Sequence, residues 1–319
     1  MKKNFWQKIK KPILALAPMA GVTDSAFRQI CKKYGADVVY TEMVSADGLY
    51  YDSKKTLEFL RFAKAEQPVV IQLFGKHPEK FTKAAQLAEK AGFAGIDINF
   101  GCPAKKVAGH GGGVTLMRDL PKCREIIEAV LAGTKLPVSI KIRASIKKGK
   151  ETVTALDFLQ TIKDLPIAAI MFHGRSYEVP FSGDPDYEMI KKAKVLCPHI
   201  PLLGNGGVNS PEDAKKMLDL SGCDGFGLAR GLYGKPWLFD LIKDYLKAGK
   251  YKPFTPKQIK KVMLEHAKLA FADKDKKGLM ELRKHLLWYV SGWPNAKELR
   301  SSLVRIESVK ELQAVLKKI

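Results

Sequence analysis

The sequence predicts a (β/α)8 barrel of the TIM type followed by a small all-α domain. Short apolar, β-rich runs alternate eight times with amphipathic segments that carry helix-start signals, and after residue 250 only helical patterning remains. No G-x-G-x-x-G follows the first run, which removes the support for a doubly wound dinucleotide fold. At 319 residues, 46% apolar and 28% charged, the chain is globular in composition and long enough for one barrel with an appendage.

The first run, 13–17, lies between Pro12 and Pro18. Lys2, Lys3, Lys8, Lys10 and Lys11 precede it and imitate a secretion signal, but five apolar residues are too few for a signal core, so the run reads as a buried strand. Thr23-Asp24 caps a helix over 26–34, the second strand is 37–41, and a helical segment follows near 54–62. Strand 69–73 leads to Pro78-Glu79, which opens a helix through Ala91; strand 95–99 leads to Pro121 and a helix over 122–131. Strands 138–142 and 168–172 flank a helix over 152–163, and a helix near 186–196 precedes strand 201–203. Ser210-Pro211-Glu212 opens the helix that ends at Leu220, and 225–228 is the eighth strand. The runs show no obvious period-two alternation, as expected of parallel strands covered on both faces. Pro253-Phe254-Thr255-Pro256 reads as a linker and helix start, and 258–272, 278–289, 296–306 and 308–316 are helix-like. We therefore divide the chain into a barrel, 1–249, and a helical domain, 250–319.

Fifty-five Lys and Arg against 33 Asp and Glu give a net charge of +22, which attracts polyanions. The excess is uneven: 17 basic and 7 acidic residues lie from Lys250 onward, against 38 and 26 before it. Charge alone leaves two readings, nucleic-acid binding and plain solubility. Five scattered cysteines without a C-x-x-C pair argue against a disulfide framework or a zinc site. With no stretch of transmembrane length, we expect a soluble, cytoplasmic protein without a metal, monomeric by default.

In a barrel the working residues follow the C-terminal ends of the strands. The first strand ends in Pro18-Met19-Ala20-Gly21, small groups against which a flat ring can lie, and the third ends near Gln72. The fourth leads through Asn99 to Gly101-Cys102-Pro103 and the glycines 109–113; the fifth and sixth carry Lys141 and His173. Glycine loops follow the seventh and eighth strands, at Asn205-Gly206-Gly207 and Ala229-Arg230-Gly231. That adjacent pair is where this architecture commonly binds phosphate on backbone N–H groups. Lys141 and His173 face one central space, where a lysine can stabilise a reduced flavin ring and a histidine can bond its pyrimidine edge. Cys102, in a loop rather than a core, is placed to donate a proton.

Together, Ala-Pro-Met-Ala-Gly-Val-Thr-Asp (17–24), Gln-Leu-Phe-Gly (72–75), Asp-Ile-Asn-Phe-Gly-Cys-Pro-Ala-Lys-Lys-Val (97–107), Lys-Ile-Arg (141–143), His-Gly-Arg (173–175) and Gly-Asn-Gly-Gly (204–207) resemble the tRNA-dihydrouridine synthase family. Arg-Lys-His-Leu-Leu-Trp-Tyr (283–289) resembles the C-terminal helical domain of its bacterial members. The resemblance runs from about Leu14 to the end, and the Cys102 loop is its most specific part. It implies FMN as cofactor, NADPH or NADH as reductant, tRNA as substrate and Cys102 as proton donor to uracil C5. It further implies FMN contacts from Pro18, Met19, Ala20, Gln72, Lys141, His173, Asn205, Gly206, Gly207, Ala229 and Arg230, with Asn99 facing the substrate base. For tRNA we expect Lys105, Lys106, Arg175, Arg283, Lys284, Arg300 and Arg305. Three positions depart from the family pattern: Gly207 stands where Asp is common, Ala229 precedes Arg230 in place of Gly, and Ser176-Tyr177 replace Thr-Arg. Two other readings are a barrel flavoenzyme acting on a free pyrimidine and an RNA-binding barrel without catalysis. The basic tail argues against the first, and the intact Cys102, Lys141 and His173 set argues against the second.

Overall fold

The computed structural model describes residues 4–318, so Lys2 and Lys3 lie outside the described residues. Eight parallel strands close a barrel: β1 (Ile13–Leu16), β2 (Val38–Ser45), β3 (Val69–Phe74), β4 (Gly95–Phe100), β5 (Val138–Arg143), β8 (Ala169–His173), β9 (Leu202–Asn205) and β10 (Gly225–Leu228). The short strands β6 (Ser145–Lys148) and β7 (Glu151–Thr154) form an antiparallel hairpin outside it. Closure comes from Ile13–Leu16 pairing with Gly225–Leu228 on one side, while Ala15 and Leu16 pair with Val38 and Val39 on the other. Each expected strand falls on a barrel strand with small shifts at its ends.

Helix caps explain the intervening starts. Asp24 accepts the Phe27 N–H at the head of Ser25–Lys33, and Asp119 caps Leu120–Gly133. Thr154 and Ser210 each form a reciprocal capping box, with Asp157 and Asp213. Two helix expectations need correction, and one helix had none. The helix expected over 152–163 covers only Ala155–Ile162, because Thr152, Val153 and Thr154 are β-branched and fold back as β7 across a turn at Gly149, φ +62°. The segment expected over 54–62 is one helical turn, Lys54–Leu57, followed by a 3-10 turn, Glu58–Leu60. A helix at Leu238–Ala248 went unrecognised; Leu238, Phe239, Leu241 and Ile242 are buried on its inner face.

The core has two layers. Ile13, Ala15, Val38, Tyr40, Val70, Met171 and Leu203 fill the barrel, and Trp6 plugs its N-terminal end. The outward-facing strand residues, among them Leu14, Ile71, Ile96 and Ile140, meet the surrounding helices. The basic tail joins this outer layer. Its helices are Pro256–Tyr289, broken at Lys274-Asp275, then Ala296–Leu303 and Val309–Lys317. Phe27 lies 5.7 Å from His266 and 4.7 Å from His285, while Trp237 stacks on Phe254 and Tyr233 on Trp288. Among the described residues, no helix is long and apolar enough to cross a membrane.

Candidate active site

Parallel strands put all eight C-terminal ends on one face, and a cavity of about 1050 Å3 opens there. Its floor is made by the inward-facing residues of each strand, which alternate with outward apolar ones. On β4, Asp97 and Asn99 face in while Ile96, Ile98 and Phe100 join the outer layer; on β5, Ser139, Lys141 and Arg143 alternate with Val138, Ile140 and Ile142. This alternation, in Ile-Asp-Ile-Asn-Phe and Val-Ser-Ile-Lys-Ile-Arg, corrects the expectation that the strand runs lack it: helices cover only the outer face, while the inner face leads to the cavity. It marks Asp97, Ser139 and Arg143, to which the motifs alone assigned no role.

The expected residues converge. Pro18, Met19, Ala20, Gln72, Asn99, Cys102, Lys105, Lys141, His173, Arg175, Asn205, Gly206, Gly207, Ala229 and Arg230 all line the cavity. Lys106 instead lines a smaller neighbouring cavity with Lys76 and His110. Arg300 and Arg305 are exposed on the tail, away from the cavity, and Lys284 is half-buried there. Arg283 is also half-buried, with Nε and Nη2 donating to the Ile306 carbonyl at 3.2 and 2.8 Å, which ties its helix to the segment before Val309–Lys317. Met43 and Tyr177 line the cavity as well.

Cations dominate the lining: Lys105, Lys141, Arg143, Arg175 and Arg230 stand against Glu178, the carboxylate at the rim. Burial, and then Arg143, lower the Lys141 pKa to about 8; its ammonium donates to Asn205 Oδ1 at 2.9 Å. Asn205 in turn donates Nδ2 to the Gly227 carbonyl at 2.5 Å, so its amide direction is set. Burial and the neighbouring cations Lys141, Arg143, Arg175 and Arg230 push His173 far below the usual imidazole range, leaving it neutral. Its Nε2 lies 3.4 Å from Arg175 Nη1; arginine only donates, so Nε2 accepts and the ring proton sits on Nδ1. Gly206 has φ +100°, and a Cβ there would lie 2.6 Å from His173 Cδ2 and 2.9 Å from Arg175 Nη1, so only glycine lets the backbone pass this close.

Three arginines pin the loop over one side of the cavity. Arg143 Nη1 donates to Ser176 O at 3.0 Å, and Arg175 donates to Gly183 O from Nε at 3.0 Å and Nη2 at 2.6 Å. Arg230 donates to Phe181 O at 3.3 Å and lies over the Phe181 ring. Cys102, 9% exposed, lines the same cavity. Its turn is held by Asn99 Oδ1, which accepts from Gly101 N at 3.0 Å and Cys102 N at 2.8 Å, while Arg143 Nε donates to Gly101 O at 2.8 Å. The glycine loop 109–113 backs the turn, with Val114 N donating to Cys102 O at 3.2 Å. Burial raises the Cys102 thiol above its usual range, against smaller opposing effects of the Ala104 N–H, Lys141 and Arg143, so the acid form persists at neutral pH. The other four cysteines are buried and free.

A cationic lining, a neutral histidine and a protonated thiol thus share one cavity. Among solved structures, histamine dehydrogenase from Rhizobium sp. 4-9 has a similar fold: TM-score 0.57 at 14% identity, covering 81% of this chain, which spans about half (49%) of that one. An old yellow enzyme homologue from Zymomonas mobilis gives TM-score 0.50 at 14% identity, covering 79% of this chain and 94% of that one. These likenesses concern the fold. In sequence, the chain is 35% identical over 296 residues to tRNA-dihydrouridine synthase B of Pseudomonas aeruginosa, covering 92% of this chain and 88% of the relative. It is 36% identical over 294 residues to a probable tRNA-dihydrouridine synthase of Rickettsia bellii, covering 91% and 89%. The family profile described as dihydrouridine synthase (Dus) matches residues 15–319, nearly the whole barrel and tail, and on this ground the chain belongs to the dihydrouridine synthase family.

Proposed function

We propose that this protein reduces the C5=C6 bond of uridine in tRNA to 5,6-dihydrouridine, with FMN bound in the barrel mouth, NADPH or NADH as reductant and Cys102 as proton donor. The observation that carries the reading is the presence, in one cavity, of several cations, glycine loops and a buried, protonated thiol.

The cavity residues fit a flavin mononucleotide. Gly206 and Gly207, with φ of +100° and +77°, line the cavity together with Arg175 and Arg230, a set suited to a phosphate, and a Cβ at Gly206 would collide with His173 and Arg175. Lys141, with its charge weakened by burial, is the residue to hold negative charge on a reduced isoalloxazine, and His173 Nδ1–H is a donor for a pyrimidine-edge oxygen. Pro18, Met19, Ala20 and Ala229 add apolar groups to the lining. Gln72 is fully buried and already bonded to Asp97 and Asn99, so it supports the site from below. When bound, flavin supplies the hydride for uracil C6. The remaining proton must reach C5. The Cys102 thiol supplies it: the S–H bond breaks, a C–H bond forms at C5, and the thiolate left behind has Lys141 and Arg143 among its neighbours. Asn99, whose Oδ1 holds the Cys102 turn, sits where a base would lie.

A uridine in folded tRNA has to leave its stack to enter this cavity. We infer that Lys105 at the cavity edge and Arg300, Arg305 and Lys284 on the helical domain, residues 250–319, contact tRNA phosphates, and that Arg175 serves the phosphate end of the cofactor. The protein acts as a monomer in the cytoplasm. The test separates the half-reactions. C102A should remain yellow and accept electrons from NADPH at the wild-type rate, yet re-oxidise with unmodified tRNA roughly 100- to 10,000-fold more slowly, the weight of a lost general acid. Wild-type re-oxidation by tRNA in C102A would remove Cys102 from the reaction.

A further inference from the structure

The proton donor's turn hangs on a chain of side-chain amides that begins at a buried carboxylate. Asp97, fully buried on β4, accepts from Ser139 Oγ at Oδ1 and from Gln72 Nε2 at Oδ2, both at 2.7 Å. Gln72 Oε1 then accepts from Asn99 Nδ2 at 2.8 Å, and Asn99 Oδ1 accepts the Gly101 and Cys102 N–H groups. An amide can present either end to a neighbour, whereas an ionised carboxylate only accepts. Asp97 therefore forces Gln72 to turn its NH2 inward and its oxygen toward Asn99. That oxygen forces the NH2 of Asn99 toward Gln72 and leaves its carbonyl oxygen for the Cys102 turn. With the chain reversed, the Asn99 NH2 would face two backbone donors and the turn would lose the side-chain acceptor that holds it.

We propose that Asp97 is a positioning residue whose carboxylate fixes the direction of the Gln72–Asn99 relay and, through it, the conformation of the Cys102 turn. This deepens the reading above and rests on Cys102 being the working thiol. A carboxylate at the centre of a barrel is costly to bury, and its burial raises the Asp97 pKa to about 6. Its retention there is explained by direction, which an apolar residue cannot impose.

The relay can be tested by reversing it. In N99D, the carboxylates at positions 97 and 99 would both demand the NH2 of Gln72, and one is refused. In D97N/N99D the chain runs backwards with every group satisfied. The amide now at position 97 donates to Gln72 Oε1, Gln72 Nε2 donates to the carboxylate now at position 99, and that carboxylate accepts from the turn. Wild type, D97N, N99D and the double variant, all flavin-loaded, are compared at pH 8 by melting and by the alkylation rate of Cys102 with iodoacetamide, read by peptide mass spectrometry. N99D should lose roughly 5–10 °C of melting temperature. A carboxylate at position 99 still accepts from the turn, so the N99D penalty is read in melting, and the double variant should recover most of it. Cys102 reactivity is read in D97A, where nothing orients Gln72 and alkylation should be roughly five- to tenfold faster, the weight of one hydrogen bond. Additive effects, or an N99D protein indistinguishable from wild type, would overturn the relay. Should N99D fail to fold, D97A and D97N decide: neither keeps a group that can only accept, so both should alkylate Cys102 faster than wild type, and a wild-type rate in D97N would overturn the claim that the carboxylate sets the direction. Neither readout requires turnover. A protein that shows the rescue but leaves tRNA unreduced would refute the proposed activity while leaving the relay intact.

Discussion

Replacing Gly206 by alanine separates the cofactor cradle from ordinary backbone strain. At φ +100° a residue with a Cβ costs about 1–3 kcal/mol, and displacing the His173 ring from its rotamer adds about 0.5–1.5 kcal/mol. The new methyl carbon would stand 2.6 Å from His173 Cδ2 and 2.9 Å from Arg175 Nη1, so one or both must move. Without ligand the loop relaxes and releases much of this strain. Binding FMN in the present geometry restores it, so about 2–4 kcal/mol should appear as lost affinity, roughly 30- to 1000-fold. The assay is quenching of flavin fluorescence on titration into deflavinated protein, with the flavin content of freshly purified protein as a second measure. G149A is the control: Gly149 also has positive φ, but a Cβ there meets nothing within 4 Å, and it lies in the β6–β7 turn. G149A should keep its flavin and lose only stability. Wild-type affinity in G206A would refute the placement of the phosphate against this loop.

Lys141 makes a pH-dependent prediction. Its folded pKa is lowered to about 8, so charging it is unfavourable in the ligand-free protein, and it loses its proton as pH rises through that value. A bound anion favours the charged form and raises the pKa again, so flavin affinity should be flat near pH 7 and fall above pH 8, at most about tenfold per pH unit. K141M should bind more weakly without that dependence, and an unchanged pH profile would contradict the role. On the tail, R300A and R305A should weaken tRNA binding, and each should lower the slope of log affinity against log salt by about one for the phosphate it no longer neutralises. Binding isotherms at several salt concentrations with unchanged slopes would remove them from the interface. R283A should instead lower the melting temperature, because its guanidinium holds the Ile306 carbonyl.

The barrel was legible because each βα unit carries local punctuation. A capping residue such as Asp24 or Ser210, a proline at a helix start and a short β-rich run are all set within a few neighbours. The residues at the strand ends follow from barrel geometry, since parallel strands leave their C-terminal ends no other place to meet. What escaped was of two kinds. The hairpin at 145–154 and the helix Leu238–Ala248 are local features with readable signals, β-branched residues around Gly149 and an apolar stripe from Leu238, but neither belongs to the eight-unit alternation that predicts the barrel. The roles of Asp97 and Arg143 are not local. Asp97 meets Gln72 from β3 and Ser139 from β5, and Arg143 reaches the loop after β8. The seat of the tail is also non-local: Phe27 is an ordinary apolar helix residue until His266 and His285 arrive against it from the other end of the chain.

The measurement closest to the central claim is mass analysis of nucleosides from unmodified tRNA incubated with the flavin-loaded protein and NADPH. The account predicts that uridine gains two hydrogens and becomes dihydrouridine, and that C102A largely loses this product. Unchanged uridine in every nucleoside digest, from a yellow protein that NADPH reduces, would contradict it.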